Sequence, residues 1–238
     1  MQVEMLNVGW LTAPAGFWRK NDPNPRESMR VPVPAYLIET ETERILVDTG
    51  LHPNPKDQYS DRPALELFKF EQAESIADQV DVSTISRIIV THLHFDHAGG
   101  LALFPESTPI VVQRTEWEAG HRDAAIARNF FVPKDYAGTD REVRLVDGDH
   151  DLLGDGSIEL LLTPGHTPGH QSVRVGDIVI GGDVVHFATG LDDRIFPALG
   201  DDSEAQNNSA SRLRELRDAG LRILPGHDAS VLSPGPLA

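Results

Sequence analysis

The segment Thr91-His92-Leu93-His94-Phe95-Asp96-His97-Ala98-Gly99-Gly100 places three imidazoles and a carboxylate within six residues, directly after the apolar run Ile88-Ile89-Val90. Imidazole and carboxylate are the ligands zinc takes where thiolates are absent, and they also suit iron, cobalt or manganese. His92 and His94 are two apart, so an extended backbone leaving a strand aims both rings to one side. Asp96 and His97 follow where the chain must turn, and so can face a second ion beside the first. The competing reading, a solvated polar loop that happens to hold three of the ten histidines, leaves this density unexplained.

Ligands at this spacing need strands to aim them, and the chain repeats one device four times: an apolar strand runs into a turn that carries a histidine or an aspartate. Arg87–Thr91 leads to His92, and Ser157–Leu162 to Thr163-Pro164-Gly165-His166-Thr167-Pro168-Gly169-His170. Asp177–Ile180 leads to Gly181-Gly182-Asp183, and Leu221–Leu224 to Pro225-Gly226-His227. Such ligands converge if the strands lie side by side in packed sheets with helices outside, the site lying along one edge. Other strands are expected at residues 2–8, Ala35–Glu39, Arg44–Val47, Pro109–Gln113, Glu142–Val146 and Gln171–Val175. Helices are expected at Ala64–Val80, from the apolar spacing of Leu65, Phe68, Ala73, Ile76, Ala77 and Val80, at Arg114–Arg128, and at Ser203–Ala219. Gly99 and Gly100 are expected to let the backbone turn tightly behind the ligands before a short helix. Trp10 to Val33 shows no period of either kind and reads as a long working loop, either a lip over the site or a contact with a second subunit, which leaves a homodimer open. Asp48, at the end of a strand and before Thr49-Gly50, could orient a ligating histidine from behind or simply cap its turn; His170 is a second candidate of this kind.

The bulk numbers agree with a soluble enzyme. At 238 residues, with 39% hydrophobic and 24% charged residues, the chain is long enough for a substantial core, and a single domain over 1–238 is expected. The formal charge of −16 repels phosphate backbones and anionic lipid, so nucleic-acid and membrane-surface roles are disfavoured and a small-molecule substrate fits best. There is no cysteine, which excludes thiolate and disulfide chemistry. The start, Met1-Gln2-Val3-Glu4-Met5, lacks the basic and apolar regions of a secretory signal, and no apolar run is long enough to span a bilayer. A cytoplasmic location is the default expectation.

The turns together supply His92, His94, Asp96, His97, His166, Asp183 and His227, five imidazoles and two carboxylates. A catalytic zinc takes three protein ligands and a water, so seven are too many for one ion and suit two, with Asp183 bridging.

The phrases His92 to Gly100, Thr163 to Ser172 and Val111-Val112-Gln113-Arg114-Thr115-Glu116 resemble the metallo-β-lactamase superfamily, and most of all its N-acyl-homoserine lactonase, or quorum-quenching, branch. The resemblance runs from about Pro34 to Asp228. It implies an α+β fold, the αβ/βα four-layer sandwich of that superfamily, with His92, His94 and His166 on one metal, Asp96, His97 and His227 on the other, and Asp183 on both. The absence of cysteine excludes the thiolate-containing β-lactamases, Asp183 argues against those without a bridging carboxylate, and His94 in place of glutamate disfavours the flavodiiron reductases. Lactonases of this branch commonly carry a tyrosine three residues after the bridging aspartate; here that position is His186.

The activity implied is hydrolysis of a cyclic ester by a hydroxide held between two divalent ions, zinc being the first expectation. Asp96 is the candidate to pass a proton to the leaving alkoxide, and His186 to orient or polarise the carbonyl. Phe95, Phe187 and Phe196, with Phe17 and Trp18 from the irregular segment, could line an acyl-chain pocket, or could equally be core. Alternatives are a dimetal hydrolase of another lactone, ester or thioester of the glyoxalase II kind, and a non-hydrolytic dimetal or redox protein. The thioester reading expects cations to bind glutathione carboxylates, and Ala229–Ala238 offers none.

Overall fold

Successive side chains of each central strand point into different cores, and this alternation sets the layers of the computed structural model, which describes residues 1–71 and 74–237. The strands are β1 (Gln2–Pro14), β2 (Ser28–Glu39), β3 (Arg44–Val47), β4 (Lys69–Glu71), β5 (Arg87–Ile89), β6 (Ile110–Gln113), β7 (Val143–Val146), β8 (His150–Asp151), β9 (Ile158–Leu162), β10 (Gln171–Val175), β11 (Ile178–Ile180), β12 (Arg222–Leu224) and β13 (Gly235–Pro236). One sheet runs β13-β1-β2-β3-β5-β6-β7, with β4 also pairing β1, and the second runs β12-β11-β10-β9-β8.

Tyr36, Ile38, Ile45, Val47 and Ile89 of the first sheet meet Ile158, Leu160, Ile178 and Ile180 of the second in one buried cluster. Their neighbours in sequence face the other way. Leu37, Leu46, Ile88 and Val90 pack under the helices and loops of the first half, and Leu161 and Val179 pack on Leu213 of the helix Ser203–Asp218. Period-two alternation with both faces apolar is what a sheet covered on both sides requires. Each such aliphatic side chain contributes roughly 1.5–3 kcal/mol on burial. The result is the expected αβ/βα four-layer sandwich. Among the described residues no helix is long and apolar enough to cross a membrane.

Three local expectations are corrected. Residues 64–80 do not form one helix: Pro63–Leu67 is a 3-10 turn, Lys69–Glu71 is β4, and Ile76–Gln79 is a single helical turn. Leu65, Phe68 and Ile76 still turn inward, so the apolar spacing was real. The open edge of β1 at Trp10–Thr12 offers backbone partners that Lys69–Glu71 takes instead of helical ones. Ala73, counted in that stripe, lies outside the described residues. Residues 10–33 are not one irregular loop: β1 continues to Pro14 and β2 begins at Ser28, the two remaining paired from Trp10↔Pro32 to Pro14↔Ser28, with a helical turn at Ala15–Trp18 between them. The expected helix Arg114–Arg128 is two, Arg114–Gly120 and Asp123–Arg128. The Tyr136 hydroxyl donates to the Gly120 carbonyl at 2.6 Å and closes the first.

Gly99 and Gly100 make the expected turn before the short 3-10 helix Leu101–Leu103, and what the turn requires of them is smallness. Both have negative φ, and a Cβ would come within 2.5 Å of His52 N at Gly99 and 2.4 Å of Thr49 O at Gly100. They let the ligand segment press against the turn that follows β3, the turn that holds Asp48.

Candidate metal centre

The turns after β5, β9, β11 and β12 meet at one edge between the sheets, as the repeated strand-to-turn pattern requires. All seven candidate ligands are buried, none more than 6% exposed. Ligand atoms of His92, His94 and His166 form one close group; Asp96, His97 and His227 form a second; His92, His97 and Asp183 form a third that joins them. Asp183 lies between the sets. Its Oδ2 is 3.4 Å from His166 Nε2 and 3.3 Å from His227 Nε2, and its Oδ1 is 3.6 Å from His97 Nε2. Asp96 Oδ2 stands 3.6 Å from His227 Nε2.

Second partners fix which nitrogen each ring turns inward. Asp48, held at a left-handed φ of 60°, accepts from the Thr91 backbone N–H through Oδ1 at 2.7 Å. Its Oδ2 accepts from the Thr91 hydroxyl at 2.7 Å and from His97 Nδ1 at 2.8 Å. Since the Thr91 hydroxyl gives its hydrogen to Asp48, it accepts from His92 Nδ1, 3.1 Å away. His227 Nδ1 donates to the Pro32 carbonyl at 2.8 Å. His92, His97 and His227 therefore all present Nε2 to the centre, the arrangement that metal-ligating histidines show. His170 works on Asp183: its Nδ1 faces Thr163 O at 3.1 Å, and its Nε2 accepts the Asp183 backbone N–H at 3.0 Å. Asp48 and His170 thus stand behind the candidate ligands.

The donor set fits two divalent cations. His92 Nε2, His97 Nε2, His227 Nε2 and Asp183 Oδ1 are buried without any hydrogen-bond partner, and each such orphan costs about 1–3 kcal/mol unless something satisfies it. His94 Nδ1 and His166 Nε2 lie 3.1 Å apart, close to the roughly 3.3 Å edge of a tetrahedron built on metal–nitrogen bonds of about 2.0–2.1 Å. Burial, reinforced by neighbouring imidazoles, pushes His92 and His166 well below the ordinary imidazole range, and burial brings His94 down to about 3. These rings are neutral, with lone pairs free to ligate. Burial also works against His97, but Asp183, Asp48 and Asp96 outweigh it and hold that ring well above its usual value. Burial opposes ionisation of Asp183, yet His227, His97 and His186 keep its carboxyl well below the usual range. The centre attracts positive charge.

Beside the ligands lies an aromatic cavity of about 20 Å³, room for roughly one water. Phe17, Trp18 and Phe95 line it with His94, Asp96, His166, Asp183 and His186. Phe68, Phe130, Pro197 and Leu199 complete the wall; sequence reasoning gave none of these four a part in the site. Phe187 and Phe196 stand off the wall: Arg19 stacks on the Phe187 ring at 4.1 Å, and Phe196 packs toward the core beneath the helix Ser203–Asp218. The segment carrying Pro197 and Leu199 is tied to the segment carrying Phe17 and Trp18 by two backbone bonds, Lys20 N–H to Phe196 O at 2.9 Å and Ala198 N–H to Phe17 O at 3.0 Å.

Glu116 was also given no role from sequence. Fully buried, it accepts the Leu93 N–H through Oε1 and the Gly169 N–H through Oε2, both at 2.9 Å, and so joins the loop of His92 and His94 to the loop of His166 and His170. The available signal was an acid placed one turn into a helix that starts directly from the fully buried strand β6.

Comparison with known proteins agrees with this geometry. The sequence pattern of the metallo-beta-lactamase superfamily matches residues 29–227. The chain is 32% identical over 224 residues to an N-acyl homoserine lactonase of Bacillus thuringiensis, covering 86% of this chain and 84% of that protein. It is 25% identical over 247 residues to the N-acyl homoserine lactonase AttM of Azorhizobium caulinodans, covering 96% and 93%. An N-acyl homoserine lactone hydrolase solved with the product N-hexanoyl-L-homoserine at its catalytic metal centre superposes with a TM-score of 0.83 at 28% identity, over 96% of this chain and 94% of that one. On this match, which spans most of the chain and includes every one of the seven buried donors, the protein belongs to the metallo-β-lactamase superfamily.

Proposed function

We propose that this dimetal hydrolase opens lactone rings, and N-acyl homoserine lactones in particular. The observation that carries the reading is the meeting of two surfaces in one cavity: the carboxylates and imidazoles of the centre form one wall, and the Phe17, Trp18, Phe68, Phe95 and Phe130 rings form the other. A polar ring ester joined to an apolar acyl chain matches both. The Trp18 indole Nε1 adds a buried donor without a partner, and a substrate carbonyl is the kind of acceptor that would complete it. The lactonases similar to this chain support the same substrate class.

When bound, two divalent ions supply a water-derived nucleophile at neutral pH and polarise the ester carbonyl. The protein's own part is to place and protect. Asp183 and the five histidines fix the centre, and the aromatic wall excludes water and positions the acyl chain against it. Asp96, buried at the cavity wall beside the other donors, is the carboxylate placed to take a proton from the attacking water and pass it to the ring oxygen as that oxygen leaves.

The test is a panel of short- to long-chain homoserine lactones, γ-lactones and aryl esters, assayed on chelated, zinc-loaded and cobalt-loaded protein. Lactone opening is expected to vanish on chelation and return with either metal. Turnover of aryl esters or thioesters with none of the lactones opened would refute the lactonase reading, and loaded protein inert on every ester would refute the hydrolase.

A further inference from the structure

His186 is 3% exposed, and its ring has a fixed sense. Nδ1 lies 3.2 Å from the backbone carbonyl of Trp18, which can only accept, so Nδ1 carries a hydrogen. Nε2 is thereby turned inward, 3.1 Å from Asp183 Oδ2. Ligand atoms of His166, Asp183 and His186 lie within 4.8 Å of one another, a fourth close group beside the three that hold the expected ligands. The ring centre is 5.0 Å from that of His227 and 5.8 Å from that of His166, so His186 stands between a ligand of each set. Its carbonyl accepts the His227 backbone N–H at 2.9 Å, which binds the turn after β11 to the turn after β12. The Trp18 ring, 5.4 Å from the rings of both His186 and His227, packs against the pair.

These features repeat the orientation of His97 and His227, with Nδ1 held by an outward acceptor, Nε2 facing the cluster and the ring buried; unlike theirs, the His186 Nε2 has a partner of its own, Asp183 Oδ2. We propose that His186 is an eighth donor at the centre, its Nε2 ligating a divalent ion beside Asp183 on the side shared by His166 and His227. The inference rests on the dimetal reading and extends it. A ring that gives its Nε2 lone pair to a cation has no hydrogen there to offer a substrate carbonyl. Ligation therefore excludes the hydrogen-bonding role expected of the residue at this position, and the two roles can be separated by experiment.

The full chain, stripped with chelator, is titrated with Co²⁺ as wild type, His186→Phe and His186→Gln, recording stoichiometry, both binding constants and the visible absorption bands, which respond to coordination number. If His186 ligates, both variants still fold and bind metal, with one of the two constants weakened roughly tenfold or more and the band intensity changed. In parallel, ¹⁵N-histidine spectra of zinc-loaded wild type are expected to show the His186 Nε2 as a metal-bound nitrogen, assigned by its loss in His186→Gln; this readout does not depend on how well the Phe variant folds. Unchanged constants and bands, or an Nε2 that carries a hydrogen in the zinc-loaded protein, overturn the proposal. No lactone enters these measurements, so they fail or succeed apart from the substrate assignment; wild type that takes up fewer than two ions refutes the dimetal reading itself.

Discussion

Asp48 Oδ2 accepts the Nδ1 hydrogen of His97 at 2.8 Å, and the same oxygen takes the Thr91 hydroxyl that in turn receives His92 Nδ1. One carboxylate thus sets the ring orientation of a candidate ligand in each of the two donor groups. Replacing Asp48 with Asn removes the charge and leaves one oxygen where two were used. Affinity for both ions should fall, by about 10–100-fold, while the fold persists. Competition against a chromogenic chelator measures this. Loss at one ion alone would mean that the Thr91 link does not orient His92.

Glu116 holds the two ligand loops from the far side. Glu116→Gln keeps the size but turns an NH₂ toward one of the two N–H groups it now accepts, leaving a buried donor unpaired at a cost of about 1–3 kcal/mol. Because the clamp joins the His92–His94 loop to the His166 loop, the expected result is a lower melting temperature of the metal-free protein together with weaker binding of the ion held by those three histidines. Thermal melts with and without zinc check both. A variant that melts and binds as wild type would show that the loops hold their register without it.

The gathering of the seven candidate donors was legible in the sequence because they follow apolar strands at fixed turns, and strand termini in a packed sandwich have few places to go. The four layers followed from the same strands. What could not be read were pairings between distant segments. The period through Leu65, Phe68 and Ile76 was compatible with a helix until the free edge of β1 competed for the backbone of Lys69–Glu71. Residues 10–33 lacked a period because they join two strand ends, residues 10–14 and 28–33, through a helical turn at Ala15–Trp18 and the turns after it, each too short to set a pattern. Phe68 and Phe130 reach the cavity, and Phe187 and Phe196 do not, through packing that the residue type alone cannot express. His186 was found by its place three residues after Asp183, but only the Trp18 carbonyl shows which of its nitrogens faces inward.

A cavity with room for about one water cannot admit an acyl chain while its wall, Pro197 and Leu199 included, stays in place. The two backbone bonds from Phe17 and Lys20 to the 196–198 segment are the ties to release. Ala198→Pro deletes the N–H that binds Phe17 O and should loosen this part of the wall without touching a candidate ligand. On the lactone panel, kcat/KM for long-chain substrates is expected to rise several-fold relative to short-chain ones, with metal content unchanged. An unaltered chain-length profile would mean that substrate enters by another side of the cavity.

Asp135 gives a prediction about stability against pH that is independent of the metals. Its carboxylate is buried, accepting from Gln58 Nε2 at 2.8 Å and the Tyr59 hydroxyl at 3.1 Å. Burial nonetheless dominates and raises its pKa from 3.8 to about 7. The folded protein therefore keeps this proton where the unfolded chain has lost it. Between about pH 4 and pH 7 the folded state binds more protons at this group, so stability declines as pH rises through that window and levels off above it. The size is on the order of 2–4 kcal/mol. Asp135→Asn keeps an acceptor for Tyr59, and Gln58 can turn its amide oxygen toward the new NH₂, so the site stays satisfied at every pH. Denaturant unfolding of the chelated protein at several pH values, wild type minus variant, cancels the shared histidine titrations. The variant should be the more stable at pH 7.5 and gain nothing at pH 4; parallel curves across the window would show that Asp135 ionises normally in the folded protein.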